Sequence, residues 1–546
     1  MTYKYGIDFG TTNSSIAIRF ADESQVEHTL VVDLKDRYPK ETIPSVACIA
    51  EDGSIFVGMD AYAQMTNLKS KNKEALLIKK VKMDLESKGT SLKYTVGRRT
   101  FTGVEVIAAI LKYLRVRAEH ELAPLGIKAS GVVLGVPVQY GDIQKNVLKA
   151  ALVEAGYYRN ISDANRYTEF VSEPVAVAVH YGLNTTDNKT VMVFDFGGGT
   201  LDLAIVNLKD QVGVDHLHPH EVIAKDRITL GGEELSKLFF INTFCGRSGY
   251  GTSAICNAFH FDRNLTPEAL WNRLSQHNIG LELIDEIEQC KCELSTAKIC
   301  DFSFLGPRGI TLGKKQIFRA SFEEAIAPAL RQIENVIDSC LEHGGIDDPY
   351  EIDHVIIAGG SSLIPCVQEL LFDRFGKKKV LTKPGNTSKK GSNFSSHYTE
   401  SEVLTSIVRG LATVGCIKEV LVEDVVDNDY GLWDDTNNAF IPIIESGTPV
   451  KEAAQFDKVF QSGKYVEVEC QDPFQDTVTI KVYQRNLNGL DQLGTVFIDD
   501  AGGKKYRAFM YVDPKQGKLN FAMYDICKKH WFDIPLNQSQ YDIKKK

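Results

Sequence analysis

The chain has 546 residues, a formal net charge of −10, 43% hydrophobic and 25% charged residues. Those proportions are ordinary for a soluble globular chain, and the length predicts two to four domains. The acidic balance argues against a general nucleic-acid binder, and no apolar run approaches the roughly eighteen residues that a membrane-spanning helix needs, so neither nucleic acid nor membrane is expected as a partner.

The first five residues run straight into a strand, so no signal peptide is expected. Residues 6–19 read G-I-D-F-G-T-T-N-S-S-I-A-I-R: an apolar run with one aspartate, a glycine turn, hydroxyl residues and a second apolar run. This pattern predicts a β-hairpin whose tip can wrap a phosphate with backbone N–H groups and hydroxyls. Residues 193–202, V-F-D-F-G-G-G-T-L-D, repeat it about 187 residues later. Two such hairpins point to one nucleotide gripped from both sides, with a metal held between Asp8 and Asp195 at the ends of buried strands. A single glycine turn says little; the doubled pattern is far more specific. The second hairpin is not a protein-kinase D-F-G motif, because no H-R-D loop or strand lysine precedes it at the required spacing, and no G-x-x-x-x-G-K-[ST] loop occurs.

Between and beyond the hairpins, helical and strand periods alternate up to about residue 415, the mark of an α/β fold. Residues 103–123 form a predicted helix with an apolar stripe of Val106, Ile107, Ile110, Leu111 and Leu114. Residues 131–137 are a buried strand stopped by proline, and 142–155 a helix ended by Gly156. Further helices are predicted over 281–297 and 321–342. Residues 354–360 are a strand ending in a glycine turn, after which Pro365 starts a helix. That turn is a third candidate phosphate or nucleoside contact. The eleven cysteines are odd in number and scattered, mostly in apolar runs such as those of Cys48, Cys366 and Cys416, which predicts a reduced, cytoplasmic compartment. Cys290, Cys292 and Cys300 form the one cluster, without the ligand spacing of a zinc site. Residues 377–397 are basic, polar and rich in glycine and serine, a predicted surface loop. After about residue 418 the texture changes to short alternating runs at 465–470, 477–483, 506–512 and 519–524, which predict an antiparallel β-domain.

These residues together resemble the heat shock protein 70 (Hsp70) family, a branch of the actin-like ATPase superfamily. G-I-D-F-G-T-T-N-S at 6–14 is similar to its first phosphate hairpin, and residues 193–202 to its second. V-S-E-P-V-A-V-A-V-H-Y-G-L at 171–183 resembles its N-E-P-T-A-A-A-L-A-Y-G-L segment, and L-G-G-E-E at 230–234 its L-G-G-E-D turn. E-Q-C-K-C-E-L-S at 288–295 resembles its adenosine-contacting helix, and A-G-G-S-S-L-I-P at 358–365 its V-G-G-S-T-R-I-P turn. I-P-I-I-E-S-G-T-P-V at 441–450 is similar to the segment that leads into the peptide-binding β-sandwich. The resemblance implies a two-lobed actin-like (ribonuclease-H-like) ATPase domain over 1–418, an interdomain linker over 419–429 and a substrate-binding β-sandwich over 430–546.

It also implies roles. Gly10, Thr11, Thr12 and Asn13 contact phosphates from the first hairpin, and Gly197, Gly198, Gly199 and Thr200 from the second, with Gly231 and Gly232 beside them. Asp8 and Asp195 position hydrated magnesium, Glu173 orients the attacking water, and Thr200 joins these as a catalytic residue. Glu288, Lys291 and Ser295 contact the adenosine of ATP or ADP, with Gly359, Gly360 and Ser361 opposite. A catalytic lysine is expected in I-K-K-V-K-M-D-L at 78–85, which offers two registers; Lys82 is favoured over Lys79 because its register aligns the following strand. The implied function is a slow ATPase chaperone that couples nucleotide state to binding of unfolded or extended peptide. Its implied partners are a J-domain co-chaperone and a nucleotide exchange factor.

Three departures accompany the resemblance. Cys292 stands where the family has an arginine that stacks on adenine, and Leu363 replaces another arginine. The linker V-L-V-E-D-V-V-D-N-D-Y-G at 420–431 carries Glu423 in place of a docking leucine. No helical lid follows the β-domain, so clients should exchange fast. Two alternatives share the superfamily. A small-molecule, sugar-type kinase would need an aspartate base that no residue here supplies by pattern, and an actin-like filament would have to accommodate the β-domain.

Overall fold

The computed structural model describes residues 3–21, 27–35, 41–71, 73–137, 140–182, 188–210, 220–246, 248–306, 309–381, 400–416, 422–423, 425–426, 428–435, 437–453, 465–469, 477–486, 489–499, 503–513, 518–534 and 541–542. The predicted loop over 377–397 lies outside these from residue 382 onward, as do much of the predicted linker and the side chain of Glu423.

Two large sheets of the same plan organise the α/β part, beside three smaller sheets of two or three strands among the described residues. In the first, β1 (Tyr3–Phe9) pairs antiparallel with β2 (Asn13–Ala21), which pairs with β3 (Glu27–Val31); on its other side β1 pairs parallel with β4 (Ala129–Val136), and β4 with β5 (Thr168–Ser172). The second has β6 (Lys189–Phe196), β7 (Leu201–Leu208) and β8 (His220–Ile228) as its antiparallel half, with β9 (His354–Ala358) and β10 (Val380–Leu381) added in parallel beyond β6. The orders β5-β4-β1-β2-β3 and β10-β9-β6-β7-β8 therefore correspond strand for strand. In each, the second part of the central strand is buried on both faces, which is why it reads as an apolar run interrupted by one aspartate.

Each sheet anchors its own core. The first packs against α2 (Gly103–Leu122), whose Val106, Ile107, Ile110, Leu111 and Leu114 are all buried, and against α3 (Asp142–Glu154). The helix α1 (Val81–Lys88) precedes these and lies at the cleft. Thr102 and Glu105 form a capping box that starts α2 at the predicted residue. The second core is built around β6 and β7 with α4 (Glu173–Gly182), α5 (Gly232–Phe239), α6 (Asn278–Thr296), α7 (Arg319–His343) and α8 (Pro365–Phe375). Helix α6 begins three residues before its predicted start at 281, because the His277 ring accepts from Gly280 N–H and caps it.

Helix α9 (Glu400–Cys416) crosses between the lobes against β1, β2 and α4. The crossing is too close for side chains at two points. A Cβ on Gly410 would lie 1.8 Å from the Ala176 carbonyl oxygen, and one on Gly6 would lie 2.3 Å from the Ala412 nitrogen. Glycine is therefore required there.

Beyond α9 the described part of the predicted linker is not free chain. Val422–Glu423 form β11, which extends the second sheet by pairing parallel with His220 and Glu221. The remaining strands form two antiparallel-rich sheets over one core. One has the order β13 (Ala439–Ile444), β12 (Asp429–Asp434), β15 (Thr477–Asn486), β16 (Gly489–Asp499), β20 (Tyr541–Asp542). The other has β14 (Val466–Glu469), β17 (Lys505–Asp513), β18 (Lys518–Asp525), β19 (His530–Ile534). Alternate residues point inward, Ile480 and Val482 from one sheet meeting Ala508, Met510, Phe521 and Met523 from the other.

Candidate functional site

Both predicted hairpins form, and their tips meet. Asp8 pairs with Ser15 across the first and Asp195 with Asp202 across the second. In the first tip a Cβ on Gly10 would lie 2.2 Å from the Asn13 carbonyl oxygen. In the second, Gly197 N–H donates to the Thr200 carbonyl at 3.0 Å. A Cβ on Gly198 would lie 1.7 Å from Thr12 Oγ1, and one on Gly199 would lie 3.0 Å from Thr11 Oγ1. The two tips thus face each other at van der Waals distance, each presenting glycine backbone and hydroxyls to the other.

The other predicted glycine turns close on the second tip. Gly232 N–H donates to the Gly197 carbonyl at 3.0 Å and Glu233 N–H to the Gly198 carbonyl at 2.9 Å. A Cβ on Gly231 would sit 2.4 Å from the Gly198 carbonyl carbon. Gly359 has φ of +75°, and a Cβ there would lie 2.4 Å from the Phe196 carbonyl oxygen. Gly360 opens a short 3-10 segment, Gly360–Leu363, inserted before α8 where the sequence predicts a direct turn into the helix. The Ser361 hydroxyl in that segment donates to the Gly197 carbonyl at 2.9 Å. On α6, Lys291 Nζ donates to the Gly232 carbonyl at 2.7 Å and pairs with Glu288 at 2.7 Å, while Glu288 also accepts from the Ser236 hydroxyl. The Ser295 hydroxyl turns back to the Lys291 carbonyl at 3.3 Å. Cys292 is exposed beside Glu288, and Leu363 packs against the second core.

Behind the tips lies a buried ionic cluster. Asp8 is 8% exposed, Glu173 6%, Asp195 4%, Asp202 1% and Lys82 5%. Lys82 Nζ bonds Glu173 Oε1 at 2.5 Å, and its helix is held by the Tyr140 hydroxyl donating to the Lys82 carbonyl at 3.0 Å. Lys79, the other register, instead reaches out to Asp285 on α6 at 2.6 Å. Its neighbour Lys80 pairs with Glu233. The two registers therefore have different surroundings: Lys82 faces the buried carboxylates, Lys79 an acidic residue of the opposite lobe.

Burial, reinforced by Glu173 and opposed by Lys82, pushes Asp8 up to about 7. Asp195 is held well above the usual carboxylate range by burial, then by Glu173, Asp202 and Asp8. Burial pulls Lys82 down, but Glu173 and Asp8 outweigh it and keep its ammonium above its ordinary value. Four buried carboxylates here face the buried cations Lys82 and Arg227, so with every group ionised the cluster would carry surplus negative charge for an added cation to offset. Hard carboxylate oxygens with surplus charge fit a magnesium ion. Among the described residues no group of three or more His, Cys, Asp or Glu side chains converges as a direct ligand set.

Asp202, Arg227 and Glu86 belong to this cluster and carry no role in the sequence reading. Thr200 Oγ1 donates to Asp202 Oδ2 at 2.7 Å, Arg227 Nε lies 3.4 Å from Asp202 Oδ1, and Arg227 Nη2 bonds Glu86 Oε2 at 2.8 Å. The signal for Asp202 was present, since a carboxylate seven residues after Asp195 in an apolar strand needs a partner. Arg227 gave none, because K-D-R at 225–227 reads as solvated strand charge.

The Hsp70 protein family model matches residues 4–237 and 260–387, more than half of the chain and including both hairpins, Glu173, the Glu288 helix segment and the Gly359 turn. The chain therefore belongs to the Hsp70 family, whose members bind and hydrolyse ATP and act as chaperones.

Proposed function

We propose that this chain binds ATP with magnesium between the two hairpin tips, hydrolyses it slowly, and couples nucleotide state to capture of an extended peptide by the C-terminal β-sandwich. The observation that carries the reading is the meeting of the tips, Gly198 against Thr12, directly in front of the buried Asp8, Asp195, Glu173 and Lys82. Backbone N–H groups and hydroxyls of Gly10–Asn13 and Gly197–Thr200 cradle the phosphates. Asp8 and Asp195 would hold magnesium, which when bound would supply positive charge beside the phosphates.

The chain's own residues then act by position and charge. Glu173, fixed by its bond to Lys82, orients the attacking water, and the Lys82 ammonium offsets charge on the transferring group. Glu288, Lys291 and Ser295 on α6 and Gly359–Ser361 on the opposite side hold the nucleoside. The reading divides the chain into an ATPase domain over 1–418, a linker over 419–429 and a peptide-binding domain over 430–546. The edge strand Val422–Glu423 gives the linker a physical attachment to the second lobe through which nucleotide state reaches the β-sandwich. A J-domain co-chaperone and an exchange factor are the partners, and the compartment is the cytoplasm.

Magnesium-dependent release of phosphate from ATP, measured with and without a panel of extended peptides, tests this. Turnover that rises with peptide is the expected result. Turnover that ignores every peptide removes the coupling, and phosphate transfer to a sugar in place of water replaces the reading with a kinase.

A further inference from the structure

Arg227 is the largest fully buried side chain of the described residues, and it sits directly under the second hairpin. Its strand β8 runs antiparallel to β7, and the register pairs Arg227 with Asp202. One edge of the guanidinium faces Asp202, whose other oxygen accepts from Thr200 Oγ1 at 2.7 Å. Its Nη2 bonds Glu86 Oε2 at 2.8 Å. Glu86 lies on α1 of the other lobe, four residues after Lys82, so the two project from the same face of that helix. Helix α1 therefore reaches the cleft twice: through Lys82 to Glu173, and through Glu86 and Arg227 to Asp202 and Thr200.

A stabilising role alone does not account for this arrangement. A buried ion pair is often matched or bettered in stability by apolar residues of similar volume. Here the pair crosses from one lobe to the other, and its far end is the hydroxyl at the tip of the second phosphate hairpin. The forked guanidinium can serve both carboxylates at once, which a lysine ammonium at the same place cannot do with fixed geometry.

We propose that Arg227 is a positioning residue of the hydrolytic site: it supplies a fixed cation to Asp202, and through Glu86 it ties the placement of α1, and hence of Lys82, to the tip that carries Thr200. Closure of the lobes then brings Lys82 and Thr200 into register together. Opening the cleft separates Glu86 from Arg227 and leaves the tip without its cross-lobe support. The role rests on the ATPase reading above.

The test compares the unmodified full-length chain with Arg227→Met, Arg227→Lys, Arg227→Ala and Glu86→Gln, measuring ATP affinity and single-turnover hydrolysis with magnesium. Arg227→Met is expected to slow hydrolysis at least about tenfold while ATP affinity changes by less than about threefold, the split that marks a group acting on the bound complex. Arg227→Lys should recover only part of the rate. Glu86→Gln, which leaves the second lobe's cluster intact, should slow hydrolysis as well, and guanidinium ion added to Arg227→Ala should restore some of it. Folded Arg227→Met or Glu86→Gln protein that hydrolyses ATP at the unmodified rate overturns the positioning role alone. If Arg227→Met does not fold, Glu86→Gln decides the matter. Absence of turnover in the unmodified chain overturns the ATPase reading and this role with it.

Discussion

The two hairpins are written in nearly the same residues but are supported in different ways. The first tip is held mainly by its own chain and by Ser45, whose N–H donates to the Thr12 carbonyl at 2.8 Å and whose hydroxyl meets Ser14 at 2.8 Å. The second is clamped from outside: by two backbone bonds from Gly232 and Glu233, by Ser361, by the close approach of Gly231 and Gly359, and through Asp202 by Arg227. Local sequence sets the shape of each tip. Which tip can yield when the lobes move depends on segments up to 164 residues distant in the chain, the separation of Ser361 from Gly197.

The largest expected effect tests whether the paired aspartates are equal partners. Asp195→Ala should reduce magnesium-dependent ATP hydrolysis by at least about a hundredfold with the fold intact by circular dichroism, and Asp8→Ala should follow it closely. Unchanged turnover in Asp195→Ala would sink the site assignment. The two lysines offer the next contrast. Lys82→Ala leaves Glu173 buried without its partner, so it should cost on the order of 3 kcal/mol in denaturant stability and also suppress hydrolysis. Lys79→Ala breaks a bridge whose carboxylate is 43% exposed, so stability should change by under about 1 kcal/mol and the chemical step by little, while nucleotide release quickens. Equal loss of hydrolysis in both variants would erase the distinction between registers.

The clamp on the second tip can be probed with one methyl group. Gly231→Ala places a Cβ 2.4 Å from Gly198 backbone and should weaken ATP binding about tenfold by calorimetry, whereas at Gly197 the nearest atom is 3.8 Å away and alanine should be tolerated within about threefold. Reversal of that order would show that the tip is not clamped from Gly231.

The smallest effect concerns the wall behind the first hairpin. His180 on α4 is pushed down to about 4 by burial and then by Arg409 and Arg19. It is neutral in the fold and charges only when the chain unfolds, so its contribution is fully present above its unfolded value of 6.5 and is lost as pH falls from 6.5 toward 4. Unmodified protein should lose up to roughly 3 kcal/mol over that range, and His180→Gln less, in urea melts at pH 7.5, 6 and 5. Parallel losses in both would assign the pH sensitivity elsewhere, His220 being the next buried neutral histidine.

Much of this was legible before the fold was seen. The apolar-aspartate-glycine pattern located both hairpins, since a strand buried on both faces must be apolar throughout and its one carboxylate stands out. Helix α2 and the strands of the β-sandwich followed from periods of 3.6 and 2 residues. What was not legible was pairing at long range. I-K-K-V-K-M-D-L holds three lysines that look alike on a helix, and only the packing of α1 under Tyr140 turned Lys82 inward and left Lys79 to Asp285. Arg227 looked like a surface charge, because strand alternation says which face a residue occupies and not whether another lobe covers that face.

The sequence by itself determined the local chemistry of the two tips: glycine where backbone approaches backbone, hydroxyls beside it, and an acid at the end of each buried strand. Tertiary structure decided which charges share the interior. A charge leaves water only where folding brings it a partner, and here those partners, Lys82 with Glu173 and Arg227 with Asp202 and Glu86, come from other helices, other lobes or a neighbouring strand.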